Sequence, residues 1–345
     1  MAEALLTMRA YELHAREGFD SVTLVERQPT QPGPHDLRVR IHAVSLNYRD
    51  IVMARGAQRR KPGAPAVIPC SDGAGEVVAV GAAVTRFRVG DRVAAIFFPD
   101  WIDGDIQAAH HGRALGGNAD GMLSEEVVLD EHAWVSVPSH LSFEEAATLP
   151  CAGVTAYHAL FEATHVGSGA TVLVQGTGGV SIFALQLAKA AGARVILTSR
   201  SERKREQAKR LGADHVIDYV STPKWGEAAF AWTGGRGVDV VVEVGGPGTF
   251  DQSLAALRYN GTLTQIGTLT GARGDVSTYG IFQKSLTVRG IYVGSRLMFE
   301  ALNRAVSATL LHPVVDRVFG FEEARAAYAY LASGAHFGKV VIRTA

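Results

Sequence analysis

Gly176, Gly178 and Ser181 stand at the spacing G-x-G-x-x-S directly after an apolar run, Thr171 to Gln175, and directly before a helical pattern that begins at Val180. Glycine at the first two positions lets the backbone turn sharply and come close to a ligand, and the helix that follows aims its first N–H groups at the same point. The chemistry offered is anion binding, and in this strand–turn–helix setting a pyrophosphate fits it, with Gly176, Thr177, Gly178, Gly179 and Val180 at the cofactor. Ser181 departs from the third glycine of the pattern. A second apolar strand, Arg194 to Thr198, follows within about 30 residues, as a βαβ unit requires. The alternative is a purely structural glycine turn.

The end of that second strand discriminates between nucleotides. A site for the unphosphorylated dinucleotide places an acid here to accept from the ribose hydroxyls. This chain reads Thr198, Ser199, Arg200, Ser201, Glu202, Arg203, Lys204, with the one carboxylate turned away if the segment enters a helix. Hydroxyls, a guanidinium and an ammonium suit a 2′-phosphate, so NADP(H) is favoured and Ser199, Arg200 and Lys204 are its candidate ligands. The same cations could instead be a solvated helix start.

The elements that must hold these residues divide the chain in two. Up to about residue 150, short strands alternate with turns: Leu37, Val39, Ile41 and Ala43 alternate with polar residues, and apolar runs at Gly75 to Val80 and Arg92 to Phe98 are broken by Gly81 and by Gly90 with Asp91. A barrel or bent sheet is expected. Ser142 with Glu145 reads as a capping box whose helix Pro150 soon interrupts. From Thr171 onward, strands alternate with helices, and Val238 to Val244, Thr262 to Ile266 and Leu286 to Tyr292 read as further strands of a parallel sheet covered on both faces. A helix from Phe321 to Ser333 and a strand from Lys339 to Arg343 should return to the first domain.

Composition narrows the function classes. The 345 residues suffice for two domains, and 34 basic against 34 acidic residues give a formal net charge of zero, which removes the electrostatic case for general nucleic-acid binding. The one basic cluster, Arg55 with Arg59, Arg60 and Lys61, adjoins Pro62 and Gly63 and reads as a solvated loop. No secretory segment is read at Met1 and no apolar run reaches membrane-spanning length, so a cytoplasmic protein with no membrane partner is expected. Two cysteines, Cys70 and Cys151, cannot build a disulfide framework or a four-cysteine zinc site. His110 and His111 lack a clustered third metal ligand.

Segments along nearly the whole length carry a resemblance: SLNYRDIVMARG at 45 to 56, PCSDGAGEV at 69 to 77, LPCAGVTAYHAL at 149 to 160, GTGGVS at 176 to 181, LGADHVIDY at 211 to 219 and FGKVVI at 337 to 342. The chain resembles the medium-chain dehydrogenase/reductase superfamily, in particular its zinc-free quinone oxidoreductase branch. The resemblance implies an α/β protein with a GroES-like β-rich domain (1–150 and 293–345), a Rossmann doubly wound parallel-sheet domain (151–292), and a catalytic cleft for the nicotinamide. Zinc relatives carry their metal ligands at positions that align with Asn47, Ser71 and Cys151, of which only Cys151 is a soft ligand, and Zn²⁺ needs three protein ligands plus water to act as a Lewis acid. Metal-free chemistry on an acceptor that is already electrophilic, a quinone or an enone, follows from that loss.

Further assignments come with the resemblance. Thr155 aligns with a threonine beside the nicotinamide. Asn47 and Tyr48 face the substrate, where they either donate hydrogen bonds or only shape the pocket. Asp50 and Asp72 match carboxylates near the former metal site and are not read as catalytic. Cys151 reads as a small buried hydrophobe rather than a nucleophile. Tyr219 and Lys204 line the adenosine phosphate, Gly245, Gly246, Ile266 and Gly267 lie against the cofactor at the strand ends, and Lys339 is placed with them. A homodimer is expected, with Leu286 to Tyr292 pairing edge to edge. Two alternatives remain beside the NADPH-dependent reductase: an NAD(P)-dependent alcohol or aldehyde dehydrogenase, and a non-catalytic NADPH-binding protein.

Overall fold

The alternation at residues 37 to 43 becomes strand Asp36–Leu46, whose Leu37, Val39, Ile41 and Ala43 are buried while Arg40 is exposed. The computed structural model of the protein describes residues 7–14, 18–56 and 65–344. The reading at Met1 and the cluster residues Arg59, Arg60, Lys61, Pro62 and Gly63 therefore lie outside the described residues.

Two units divide the chain, Met1–Val154 with Gly294–Ala345, and Thr155–Val293. In the first, strand Asp36–Leu46 sits inside a seven-stranded sheet, between Asp72–Val80 and Lys339–Arg343 and also paired with Glu126–Asp130. Lys339–Arg343 runs antiparallel to it, setting Val340 opposite Leu46 and Ile342 opposite Val44. Two register shifts against Asp72–Val80 bend the pair, and at Gly75 a Cβ would collide with the Arg40 carbonyl. Ser142 caps the helix Phe143–Ala146 as its spacing predicts, its hydroxyl accepting from Glu145 N while Glu145 Oε2 accepts from Ser142 N. Pro150 does not interrupt that helix. It sits in the first turn of the next, the π-helical stretch Leu149–Gly153, where its missing N–H costs nothing.

The second unit holds six parallel strands in the order His215–Ile217, Arg194–Thr198, Thr171–Gln175, Val238–Glu243, Leu257–Gln265, Thr287–Gly290. This is a Rossmann-like sheet whose strand order reverses between Thr171–Gln175 and Val238–Glu243. Helix Gly179–Ala190 packs on strands Thr171–Gln175 and Arg194–Thr198, and helix Pro247–Ala256 on Val238–Glu243 and Leu257–Gln265. Short His215–Ile217 escaped the sequence reading. The last strand is the outermost of the sheet, but it departs from its reading in running only from Thr287 to Gly290 and in being exposed at all four residues rather than covered. Among the described residues no helix is long and apolar enough to cross a membrane.

Helix Pro247–Ala256 ends without a glycine cap. Lys284 Nζ instead donates to the carbonyls of Leu254, Ala255 and Leu257 at 3.0, 2.9 and 2.8 Å, and lies over the Phe230 ring. An ammonium so placed satisfies carbonyls that the helix itself leaves open. Lys284→Met is expected to destabilise the protein by about 1–3 kcal/mol, since it removes charge-assisted hydrogen bonds at little cost in side-chain volume. Urea denaturation checks this, and an unchanged midpoint would refute it.

Candidate functional site

In the second unit the glycine turn forms where the sequence places it. Gly176 adopts φ +69° and Gly178 is the N-cap of helix Gly179–Ala190, whose first turn has no side-chain cap. A Cβ built on Gly176 or Gly178 would meet nothing within 4 Å. Glycine is therefore not demanded there by packing, and the open face over uncapped N–H groups suits a phosphate group, so the turn fits a dinucleotide. Ser181 has a role the pattern did not reveal: its hydroxyl donates to Gln175 O at 2.6 Å, closing the turn onto its own strand.

Gly245 and Gly267 are glycine for a different reason. A Cβ on Gly245 would collide with Thr249 and one on Gly267 with the Val244 carbonyl, so packing inside the unit requires both. Their backbone groups are also engaged: Gly245 N with Gln175 Oε1 and Glu243 Oε1, Gly245 O with Thr270 N and Oγ1, Ile266 N and Gly267 N with Glu243 O. Gly246 holds φ +90°, open only to glycine at low cost.

After the second strand, Ser199 is buried and Arg200 exposed, and helix Glu202–Arg210 begins behind the cap Ser201, whose hydroxyl accepts from Lys204 N at 3.4 Å. The helix that was to turn Glu202 away is thus present. Arg205, which the sequence reading passed over, fixes the segment by donating to Ser199 O at 2.8 Å and pairing with Asp218 at 3.2 Å. Tyr219, next in the chain, is exposed. Thr155 is buried in the helical turn Val154–Tyr157.

In the first unit the positions aligned with zinc ligands do converge, on Asp72. The fully buried Asp72 carboxylate accepts from Ser71 Oγ at 2.7 Å and from Cys151 N at 3.1 Å. Lys339, also buried, donates from Nζ to Leu46 O at 2.6 Å and to Asn47 Oδ1 at 2.5 Å. An ammonium only donates, so the amide atom facing it must be the oxygen, and Asn47 Nδ2 is presented on the other side. Nδ2 is close enough to Asp72 to help restrain its pKa, yet it is buried without a hydrogen bond of ordinary geometry. Lys339 was expected at the cofactor; its ammonium is committed to Asn47 and Leu46. Tyr48, half exposed, opens the helix Tyr48–Ala54.

Charge in this cluster is governed by burial. Desolvation pushes Asp50 up to about 6, against the pull of Arg49, the Asn47 N–H at 2.7 Å and Lys339. It also raises Asp72, with Lys339 drawing it back. Cys151, which reads from the sequence as buried, is only partly so, and desolvation, then Asp72, raises its thiol well above the ordinary range, which disfavours the thiolate a nucleophile needs. Asn47, Ser71 and Cys151 do not suit zinc: one thiol with an amide and a hydroxyl is not a zinc donor set, and among the described residues no group of three or more His, Cys, Asp or Glu could hold a metal ion. His110 stacks on Trp101 and His111 meets Phe98 edge-on.

Known families and proteins match the chain over nearly its whole length. The alcohol dehydrogenase GroES-like domain family model matches residues 33–139 and the zinc-binding dehydrogenase family model matches residues 179–308. A zinc-type alcohol dehydrogenase-like protein of Schizosaccharomyces pombe is 44% identical over 333 residues, covering 94% of this chain and 96% of its own. A quinone oxidoreductase of Pseudomonas aeruginosa is 32% identical over 325 residues, 91% of this chain and 93% of its own. A solved chain from Sinorhizobium meliloti 1021 superposes with a TM-score of 0.91 at 43% identity, covering 98% of this chain and 99% of that one.

The raised Asp50 pKa makes a signed prediction. Its folded value of about 6 exceeds the ordinary 3.8, so the fold favours the protonated acid, and that contribution to stability is present at low pH and lost as pH rises from about 4 through 6. Asp50→Asn, which keeps an oxygen for Asn47 N–H, should gain on the wild type across that window by up to about 3 kcal/mol. Denaturation at pH 4, 5, 6 and 7 measures the difference, and a gap that does not change with pH would contradict the assignment.

Proposed function

Since the chain belongs to the medium-chain dehydrogenase/reductase superfamily of oxidoreductases, we propose that it is a zinc-independent, NADPH-dependent reductase of quinones or activated carbon–carbon double bonds. The observation that carries this reading is the polar cluster around Asp72: where a zinc enzyme would polarise an alcohol, this chain has Asn47, Ser71 and Cys151, with Lys339 as the local cation. When bound, the nicotinamide nucleotide supplies a hydride, and an acceptor that is already electrophilic needs no Lewis acid to receive it. The Asn47 amide, its oxygen held by Lys339 and its Nδ2 next to Asp72, becomes the donor to the acceptor oxygen when a bound acceptor reaches it and negative charge builds there. Tyr48 offers a second donor through its half-exposed phenol. Thr155 contacts the nicotinamide. Gly176 to Val180 receive the pyrophosphate, and Ser199, Arg200 and Lys204, with Tyr219 alongside, receive the 2′-phosphate.

A second reading, an alcohol dehydrogenase, draws on the zinc-type name of the Schizosaccharomyces pombe relative. NADPH oxidation measured with quinones, enones and aldehydes, with and without a chelator, separates the two. Chelator-resistant turnover of quinones or enones is expected; chelator-sensitive alcohol oxidation would overturn the proposal. Arg200→Ala should raise KM for NADPH about 10- to 100-fold, the loss of one charge-assisted contact, and leave KM for NADH unchanged. Equal effects on both would remove the 2′-phosphate assignment.

A homodimer is part of the same proposal. Strand Thr287–Gly290 presents an exposed edge that a second copy can pair with. Val288→Pro, which removes an edge N–H, should shift the sedimentation coefficient to that of a monomer. A wild-type monomer at micromolar concentration would refute the pairing.

A further inference from the structure

We propose that Glu243 and Gln175, with Ser181, form a positioning unit that sets the nucleotide-binding turns before any nucleotide arrives; this rests on the nucleotide reading above. Gln175 is the last residue of strand Thr171–Gln175 and Glu243 the last of Val238–Glu243, and these are the two neighbouring strands between which the sheet order reverses. At such a point the following helices leave in different directions, a crevice opens for a ligand, and no ladder hydrogen bonds continue to hold the two turns together. Side chains must do so.

Gln175 Nε2 donates to Glu243 Oε2 at 2.6 Å, directly across this gap, and to Ser253 Oγ at 2.7 Å. Its Oε1 accepts from Val244 N and Gly245 N, both at 3.2 Å. Glu243 is completely buried and only accepts: at Oε1 from Gly245 N (2.7 Å), Gly246 N (2.9 Å) and Thr249 Oγ1 (2.6 Å), at Oε2 from Gln175 and from the Ser253 hydroxyl. With five donors turned on it, the group is a carboxylate anion. A buried anion between valine strands is costly, and apolar residues would serve mere stability as well or better. What the anion provides is geometry: it collects two successive N–H groups of the turn after Val238–Glu243 and holds Gly246 at its positive φ.

The bridge reaches the other turn through Ser181, whose hydroxyl donates to Gln175 O. The serine that breaks the glycine pattern thus ties the helix of the first turn to the residue that ties the second. Gly176 and Gly178 keep an open face, whereas the N–H groups of Gly245 and Gly246 are consumed inward, so the pyrophosphate is directed to the first turn and the second acts as a rigid apolar wall. Ordering both turns in advance removes a conformational cost from binding.

The test uses Glu243→Gln and the milder Thr249→Val in the full-length protein. NADPH affinity is read by quenching of protein fluorescence, kcat and KM by NADPH oxidation, and mobility by hydrogen exchange at the Gly245 and Gly246 amides. Glu243→Gln should raise the NADPH Kd and KM at least tenfold with kcat at saturation within threefold of wild type, and speed exchange at both amides at least tenfold. Thr249→Val, which loses one donor, should raise Kd about threefold and keeps the proposal testable if the first variant does not fold. Folded variants with lowered melting temperature but NADPH Kd within 1.5-fold of wild type would show a purely structural network and overturn it. A wild-type protein that binds no NADPH would overturn the functional reading and this proposal together, whereas unchanged variants of a binding wild type overturn this one alone.

Discussion

A buried charge must be met by its own structure, and two such charges organise this protein. Glu243 in the second unit and Lys339 in the first are both removed from water, and each compels nearby polar groups to face it. The consequence at Glu243 is that the backbone of the turn after its strand is no longer free to choose a conformation. At Lys339 the consequence is that Asn47 can present only its amide nitrogen elsewhere.

In the first unit, Asn47, Ser71, Asp72, Cys151 and Lys339 make a polar cluster whose charge is set by burial. Asp50 and Asp72 remain, both with pKa values raised by burial, and the Lys339 ammonium draws both back down. A single ammonium cannot polarise a carbonyl as a divalent ion does, but it can orient an amide, and an oriented amide suffices where the acceptor carries its own electrophilicity.

The second unit divides its glycines between two duties. Those at 176 and 178 stand over open space, and those at 245 and 267 stand where neighbouring atoms leave no room for a Cβ. The sequence pattern treats all four alike, since a glycine is silent about whether emptiness or crowding requires it. Ser181 shows the converse: it looks like a flaw in the motif, and its hydroxyl is what closes the turn.

Much of the architecture was legible from periodicity and turn chemistry. The strands Thr171–Gln175, Arg194–Thr198 and Lys339–Arg343 lie where their apolar runs placed them, and the Ser142–Glu145 capping box is made as its spacing requires, because both signals are local. Less was legible where partners are distant. Val238 to Val244 reads as a continuous apolar strand, yet its two acids are the informative residues: Asp239 takes hydrogen bonds from Arg236, Arg258 and Thr171 N that overcome its burial and hold its pKa to about 2, and Glu243 gathers donors up to 68 residues away in the chain. An acid at the end of an otherwise apolar strand was a signal available from the start. The sequence alone determined the two-part fold, the glycine turn and the cations after the second strand, since each depends on residue type and short spacing. Only the tertiary structure decided which glycines face open space, which way the Asn47 amide turns and what Glu243 and Lys339 hold, because those depend on which distant atoms come to lie within hydrogen-bond reach.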